Sequence, residues 1–407
     1  MPAETLTLHF PDIVRVAGET VQGYVDINVP MAKEDKVENV RVKLRGAIVT
    51  KLTETKHEVG PEGPKNETHY KTETVNLLRI DQQIWDQFSP QQASDIISCP
   101  FSIQLPLTLP PSFHYAHSTR TVVISYSIEV VGSRHGLFHA NRRVRKIFSI
   151  VPPATGPELN ATAALRQGWN GPWKPYVNNI ELRHGILFGE YSEAKMEITL
   201  PDLPSFPMFV GIPFSCHVMT RTKPVHHDDL EHKGNKLFPA PPESPADIEL
   251  VLRLMGHMRA RGSKEELDQK FELKGGLGDK AALANIRITA DEPVWTPSPD
   301  HKDKGSWTRG IRYDGLMSIP FTPTSSTETA EWHYMLRYDI DFPGLGNHLV
   351  LEIPIHLNSG CACPPPPMSQ YNANVPYTYP LSSGPPPMMT LPAEYWSGHD
   401  HDWEEEN

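Results

Sequence analysis

The sequence predicts an all-β protein: two β-sandwich domains in tandem, then a proline-rich tail with no fold of its own. Three observations carry this reading. Apolar residues recur at every second position in one run after another, the pattern of a strand with one buried face. Prolines number 41 in 407 residues, about twice the usual 5%; lacking an N–H, they are confined to strand ends, edges and bulges. Beyond residue 360 the alternation stops.

The elements follow in order. "TVQGYVDINV" at 20–29 sets Val21, Gly23, Val25, Ile27 and Val29 on one face. "VENVRVKLRGAIV" at 37–49 turns Val40, Val42 and Leu44 inward and Arg41, Lys43 and Arg45 outward. "VGPEGPKNETHY" at 59–70 reads as a long polar loop. In "PFSIQLPLTLPPSF" at 100–113, Phe101, Ile103, Leu105, Leu107 and Leu109 alternate, interrupted by Pro106 and closed by Pro110 and Pro111. "TVVISYSIEVVG" at 121–132 is β-branched and aromatic, as a core strand should be, and "RVRKIFSIV" at 143–151 completes a hairpin with it.

Residues 1–152 are therefore expected to form the first sandwich. "PATGPELNATAALRQGWNGPWKPYVNN" at 153–179 breaks the rhythm and reads as an interdomain connection. The second sandwich is expected over 180–360. It holds "AKMEITL", "GIPFSCHVM" and "ADIELVLRLMG", and ends in "HLVLEIPIHL". Its "EWHYMLRYDIDF" places Trp332, Tyr334, Leu336, Tyr338 and Ile340 on one face. Between 220 and 245 a His-, Asp- and Pro-rich insertion reads as an exposed loop. The tail, 361–407, has ten prolines, six acids and no lysine or arginine. Such a composition favours extended polyproline II without a core, so the tail is expected to be disordered.

Composition narrows the function classes. A net charge of −11 argues against general nucleic-acid binding, which relies on clustered positive charge. Four scattered cysteines are too few for a disulfide framework. "MPAETLTLHFPD" lacks the basic and apolar regions of a secretory signal, and no run approaches the roughly 18 apolar residues of a membrane-spanning helix. A cytoplasmic protein is expected, which leaves the Asn66 and Asn160 sequons accidental. No G-x-S-x-G, H-E-x-x-H, Walker-type or paired C-x-x-C motif is present, so the expectation is a protein that is not an enzyme and takes no cofactor or metal.

Three clusters merit weighing. His226, His227 and His232 with Asp228, Asp229 and Glu231 are suitable metal-ligand types, but adjacent histidines diverge from one ion and the segment reads as a solvated loop. Cys361 and Cys363 read as a plain surface pair. In "SRHGLFHANRRVRK" at 133–146, Arg134, Arg142, Arg143, Arg145 and Lys146 gather in an otherwise acidic chain. They are candidate contacts for anionic lipid or phosphorylated cargo, weighed against a solvated hairpin. Arg41, Lys43 and Arg45 form a second such stripe.

"GETVQGYVDINV…VENVRVKLRG", the proline-closed 100–113 stretch and "ISYSIEV" together resemble the first sandwich of the arrestin fold. "GILFGEYSEAKMEITLP…GIPFSCHV" and "EWHYMLRYDIDF…LVLEIPI" are similar to the second arrestin domain. With its proline-rich extension the chain resembles the fungal α-arrestins, the arrestin-related trafficking adaptors. The resemblance implies two tandem arrestin-like sandwiches acting as a non-enzymatic adaptor in endocytosis, recruited from the cytoplasm to the plasma membrane or endosomes. Its partners would be cytosolic segments of membrane transporters or receptors and a HECT-type ubiquitin ligase, whose WW domains grip proline–tyrosine motifs.

No Pro-Pro-x-Tyr occurs in the tail. The nearest segments are Pro364, Pro365, Pro366 and Pro367 with Tyr371, and Leu391 and Pro392 with Tyr395. A preformed extended segment loses little entropy on docking, which is the physical basis of such contacts. In the family the adaptor is itself modified, so Lys65, Lys233, Lys236, Lys302 and Lys304, in expected loops, are the candidate ubiquitin acceptors. The alternative is a sandwich scaffold subunit of a retromer-like or other coat, without ligase recruitment.

Overall fold

The computed structural model describes residues 4–60, 63–88, 94–134, 140–183, 190–233, 238–273, 277, 285–299 and 303–365; of 55–60, 63–67 and 190–191 only the backbone is described. In the first half, β1 (Leu6–His9), β3 (Thr20–Asn28) and β6 (Ile96–Gln104) form a three-stranded sheet. It lies over a sheet in the order β5-β4-β8-β7, made of β4 (Val37–Gly60), β5 (Gly63–Asp86), β7 (Phe113–His117) and β8 (Arg120–Arg134), with β9 (Arg142–Phe148) also on β8. Val21, Val25 and Ile27 from one sheet and Val40, Val42 and Leu44 from the other are fully buried in one core. A short helix, α1 (Val29–Glu34), follows β3, capped by Asn28.

In the second half, β11 (Trp173–Arg183), β12 (Glu190–Pro201), β14 (Ile212–Thr222), β17 (Arg287–Ala290), β18 (Val294–Pro297) and β19 (Gly305–Met317) form one sheet. The facing sheet holds β15 (Ile248–Ala260), β16 (Ser263–Glu272), β20 (Ser325–Ser326), β21 (Ala330–Asp341) and β22 (His348–Ile355). Trp332, Tyr334, Leu336, Tyr338 and Ile340 are all buried, as their alternation predicts. Two parallel pairs tie distant segments together: β2 (Arg15–Val16) with β10 (Ile150–Val151), and β13 (Phe206–Pro207) with β23 (Leu357–Asn358).

Several expectations need correction. Residues 59–70 are not a polar loop: β4 and β5 run on as one long antiparallel hairpin, with Gly60 opposite Gly63. Polar, β-branched residues such as Thr53, Thr68 and Thr72 suit a solvated hairpin, and loop-like composition misled. Leu107 does not share the face of Leu105 and Leu109. Strand β6 stops at Gln104, just before Pro106, and leaves Leu107 62% exposed.

The segment 153–179 contains a helix, α2 (Gly156–Gln167), and the start of β11. Glu158 accepts hydrogen bonds from the N–H and hydroxyl of Thr155, a carboxylate closing the first turn. Pro157 sits in that turn and Gly168, at φ 96°, ends the helix.

The insertion at 220–245 is pinned. It carries α3 (Asp229–Lys233), and Phe238 is fully buried beneath the Arg309 guanidinium, 4.3 Å from its ring. The indole N–H of Trp307 donates to the His227 carbonyl.

One core runs through both halves. Phe113 of β7 stacks on Trp332 of β21 at 3.9 Å between ring centroids. The Thr50 hydroxyl donates to that of Thr329 at 3.0 Å. The β15–β16 turn, with Arg261 at φ 48° and Gly262 at φ 82°, reaches β5: the Arg261 N–H donates to Glu73 and its Nε to the Thr72 carbonyl.

Trp332→Ala, which empties the stack and removes the indole bond to the Pro323 carbonyl, should cost roughly 3–5 kcal/mol and lower the urea midpoint. Tyr338→Phe should instead keep or raise that midpoint. Its buried hydroxyl has no partner among the described residues, and burying such a group costs about 1–3 kcal/mol.

Candidate functional site

The basic segment at 133–146 divides in two. β8 and β9 pair antiparallel, and successive side chains of a strand point to opposite faces. Arg142 and Lys146 therefore share one side, Arg143 and Arg145 the other.

On the first side the charges are used within the protein. Arg142 donates from Nε and NH2 to the two Asp35 carboxylate oxygens at 2.8 and 2.7 Å. Arg134 reaches the same carboxylate at 3.2 Å and the Asp35 carbonyl at 2.5 Å. The Thr5 hydroxyl adds a bond of 2.7 Å. Lys146 donates to the Phe10 carbonyl at 3.1 Å. Asp35 ends α1, so this node locks the helix to the β8–β9 hairpin. Hydrogen bonds from Arg142 and Thr5, then the charges of Arg142 and Arg134, hold the Asp35 carboxyl at about 2.

On the other side Arg143 and Arg145 join a wider field. The register of β5, β4, β8 and β9 aligns three rows across the outward sheet face: Arg79, Arg45, Ser127 and Ile147; Asp81, Lys43, Glu129 and Arg145; Gln83, Arg41, Val131 and Arg143. Six cations thus meet two carboxylates. Arg45 pairs with Asp81 at 2.7 Å and Arg143 with Glu129 at 3.2 Å. Arg41 and Arg79 are exposed, and neither they nor Lys43 have an ion pair among the described residues. Val131 is buried although it lies on this face, in register between Arg41 and Arg143. Arg79 was absent from the sequence reading. Its position depends on a pairing 34 residues away in sequence (Arg45 with Arg79), which local periodicity does not reveal.

The other candidates lie apart from this face. Lys233 is on α3, paired with Asp229 at 2.9 Å, and Lys304 precedes β19. Lys65 is in strand β5 rather than a loop. Pro364 and Pro365 end the described chain; Pro366, Pro367, Tyr371, Leu391, Pro392, Tyr395, Lys236 and Lys302 lie outside the described residues. Cys361 is not at the surface: it is buried against Val16 and Val151, with partly buried Cys363 beside them, and burial pushes its thiol up to about 11. Among the described residues the one metal-like group is Asp339, Asp341 and His348. Arg337, 2.8 Å from Asp339, already supplies that carboxylate with a counter-charge.

Residues 5–155 match the family described as Arrestin (or S-antigen), N-terminal domain. The first half is thus similar to an arrestin N-terminal domain. The match spans the first sandwich from β1 to the start of α2, and the β-sheet arrangement continues in the second half. No curated protein matches the chain.

Asp35→Asn should lower stability by about 1 kcal/mol, the scale of a partly screened charge-assisted contact. Because the folded-state value is depressed, the contribution is present above the unfolded carboxylate range near 4 and is lost as pH falls through about 2. Thermal unfolding of wild type and variant should therefore differ at neutral pH and converge in acid.

Proposed function

We propose that this protein is a non-enzymatic adaptor that links cytosolic segments of membrane transporters or receptors to a HECT-type ubiquitin ligase and endocytic sorting. The observation that carries the reading is the arrestin N-terminal domain match over residues 5–155. The described chain supports an adaptor in a second way. Its two halves share one core and are joined by the Phe113–Trp332 stack, which suits a rigid platform holding two partners at a fixed separation. An adaptor acts by raising the effective concentration of one partner near another, and needs no reacting group.

In this reading the protein works in the cytoplasm and is recruited peripherally to the plasma membrane or endosomes. The tail prolines and Tyr371 and Tyr395 are the ligase-facing segments, and a body lysine such as Lys233 or Lys304 accepts ubiquitin, since the tail holds none.

Affinity purification of the tagged chain from its own cells should recover a HECT-type ligase and an integral membrane protein. Removal of residues 366–407 should abolish ligase recovery, and with it ubiquitin remnants on body lysines seen by mass spectrometry. Recovery of coat subunits with no ligase would overturn the ligase link. Undiminished modification of the truncated chain would instead move ligase docking from the tail to the body.

A further inference from the structure

We propose that the outward face of the β5-β4-β8-β9 sheet is a docking surface for an anionic lipid bilayer. This deepens the adaptor reading and rests on it only for the membrane as the place of action.

The first argument is charge. Arg41, Lys43, Arg45, Arg79, Arg143 and Arg145 share three consecutive rows with Asp81 and Glu129 as the only acids. Within these three rows the surplus is four positive charges, in a chain of net charge −11, with Asp86 in the next row opposite Asn39. The carboxylates are placed so that they do not cancel it. Asp81 bonds Arg45, and Glu129 lies between Lys43 and Arg145 while bonding Arg143. Arg79, at one corner of the field, and Arg41, on β4 in the opposite outer row, are exposed.

The second argument is shape. Four strands at about 4.8 Å spacing and three rows about 6.8 Å apart make a field roughly 14 Å on each side. Beneath the field β4 and β8 are paired on both sides, and β5 and β9 are its outer strands. An extended phosphopeptide docks by adding to a sheet edge or by convergence of donors on one phosphate. Here the cations are spread two per row across the face of four strands rather than along the outer edge of one. A plane of lipid headgroups matches that spacing without requiring any backbone partner, and long basic side chains suit such an interface. The Asp35 node orients the same hairpin from behind.

The test uses the purified full-length chain and sedimentation with phosphatidylcholine vesicles, with and without phosphatidylserine. Wild type should bind only the serine-containing vesicles and should lose binding as salt rises. Each neutralised charge should weaken binding about five-fold, so R41Q/K43Q/R79Q should lose roughly a hundred-fold. D81N, which adds to the surplus, should tighten binding about five-fold, a gain that misfolding does not produce. Circular dichroism checks the triple variant; if it is unfolded, D81N decides.

Unchanged binding by the folded triple variant, no gain with D81N, or equal binding to neutral vesicles would overturn the proposal. So would a triple variant that keeps vesicle binding but loses a phosphoserine peptide, which would make the face a peptide site. A chain that recruits a ligase in cells yet fails this test loses the bilayer contact and keeps the adaptor reading.

Discussion

The register of β8 is the constraint on which the first sandwich depends. This strand pairs along its length with β4 and, on its other edge, with β7 and then β9. Val122, Ile124, Tyr126, Ile128 and Val130 face the core and are buried. A slip of one residue would turn that entire set toward water. With β8 held, Glu129 must sit between Lys43 and Arg145, and Val131 between Arg41 and Arg143. The Tyr126 hydroxyl donates to the Pro110 carbonyl at 2.7 Å, so the proline-closed stretch is also tied to this strand. The electrostatics of the outer face are thus a by-product of hydrophobic burial on the inner one.

How much of this was legible varies with the range of the interaction. Strands with one apolar face, such as β3 and β21, announce themselves through alternation, and both bury the residues expected. The division of Arg142 and Lys146 from Arg143 and Arg145 was also open to reading, because strand periodicity alone separates odd from even positions. Along the sequence the cluster is one run; on the strand it is two sets. What could not be read locally was the partner of each side: Asp35 lies 107 residues from Arg142, and Arg79 comes to Arg45 by a long hairpin.

Local composition misled in the opposite direction at two places. The glycines, prolines and polar residues of 59–70 suggested a loop, yet strand pairing continues to Gly60 and resumes at Gly63. Helix α2 has few buried residues, Thr162 and Leu165, so it offers almost no hydrophobic period to detect. Its signal was in the ends: a threonine followed three residues later by a glutamate, a proline in the first turn and a glycine at the close. Glu158 also accepts from Ser205, so the same carboxylate that starts the helix ties it to the second half.

The meeting of Cys361 with Val16 and Val151 bears on the order in which the protein is made. The Ala154 N–H donates to the Cys361 carbonyl, and the cysteine side chain completes a small apolar cluster at the β2–β10 pair. On the ribosome, everything through β10 emerges about two hundred residues before that cysteine exists. Until then Val16 and Val151 lack the Cys361 contact they make in the finished fold. Its last piece arrives only when the chain doubles back. The nascent protein is therefore sealed at its beginning by residues translated near its end, and a ribosome stalled before Cys361 leaves the first domain open.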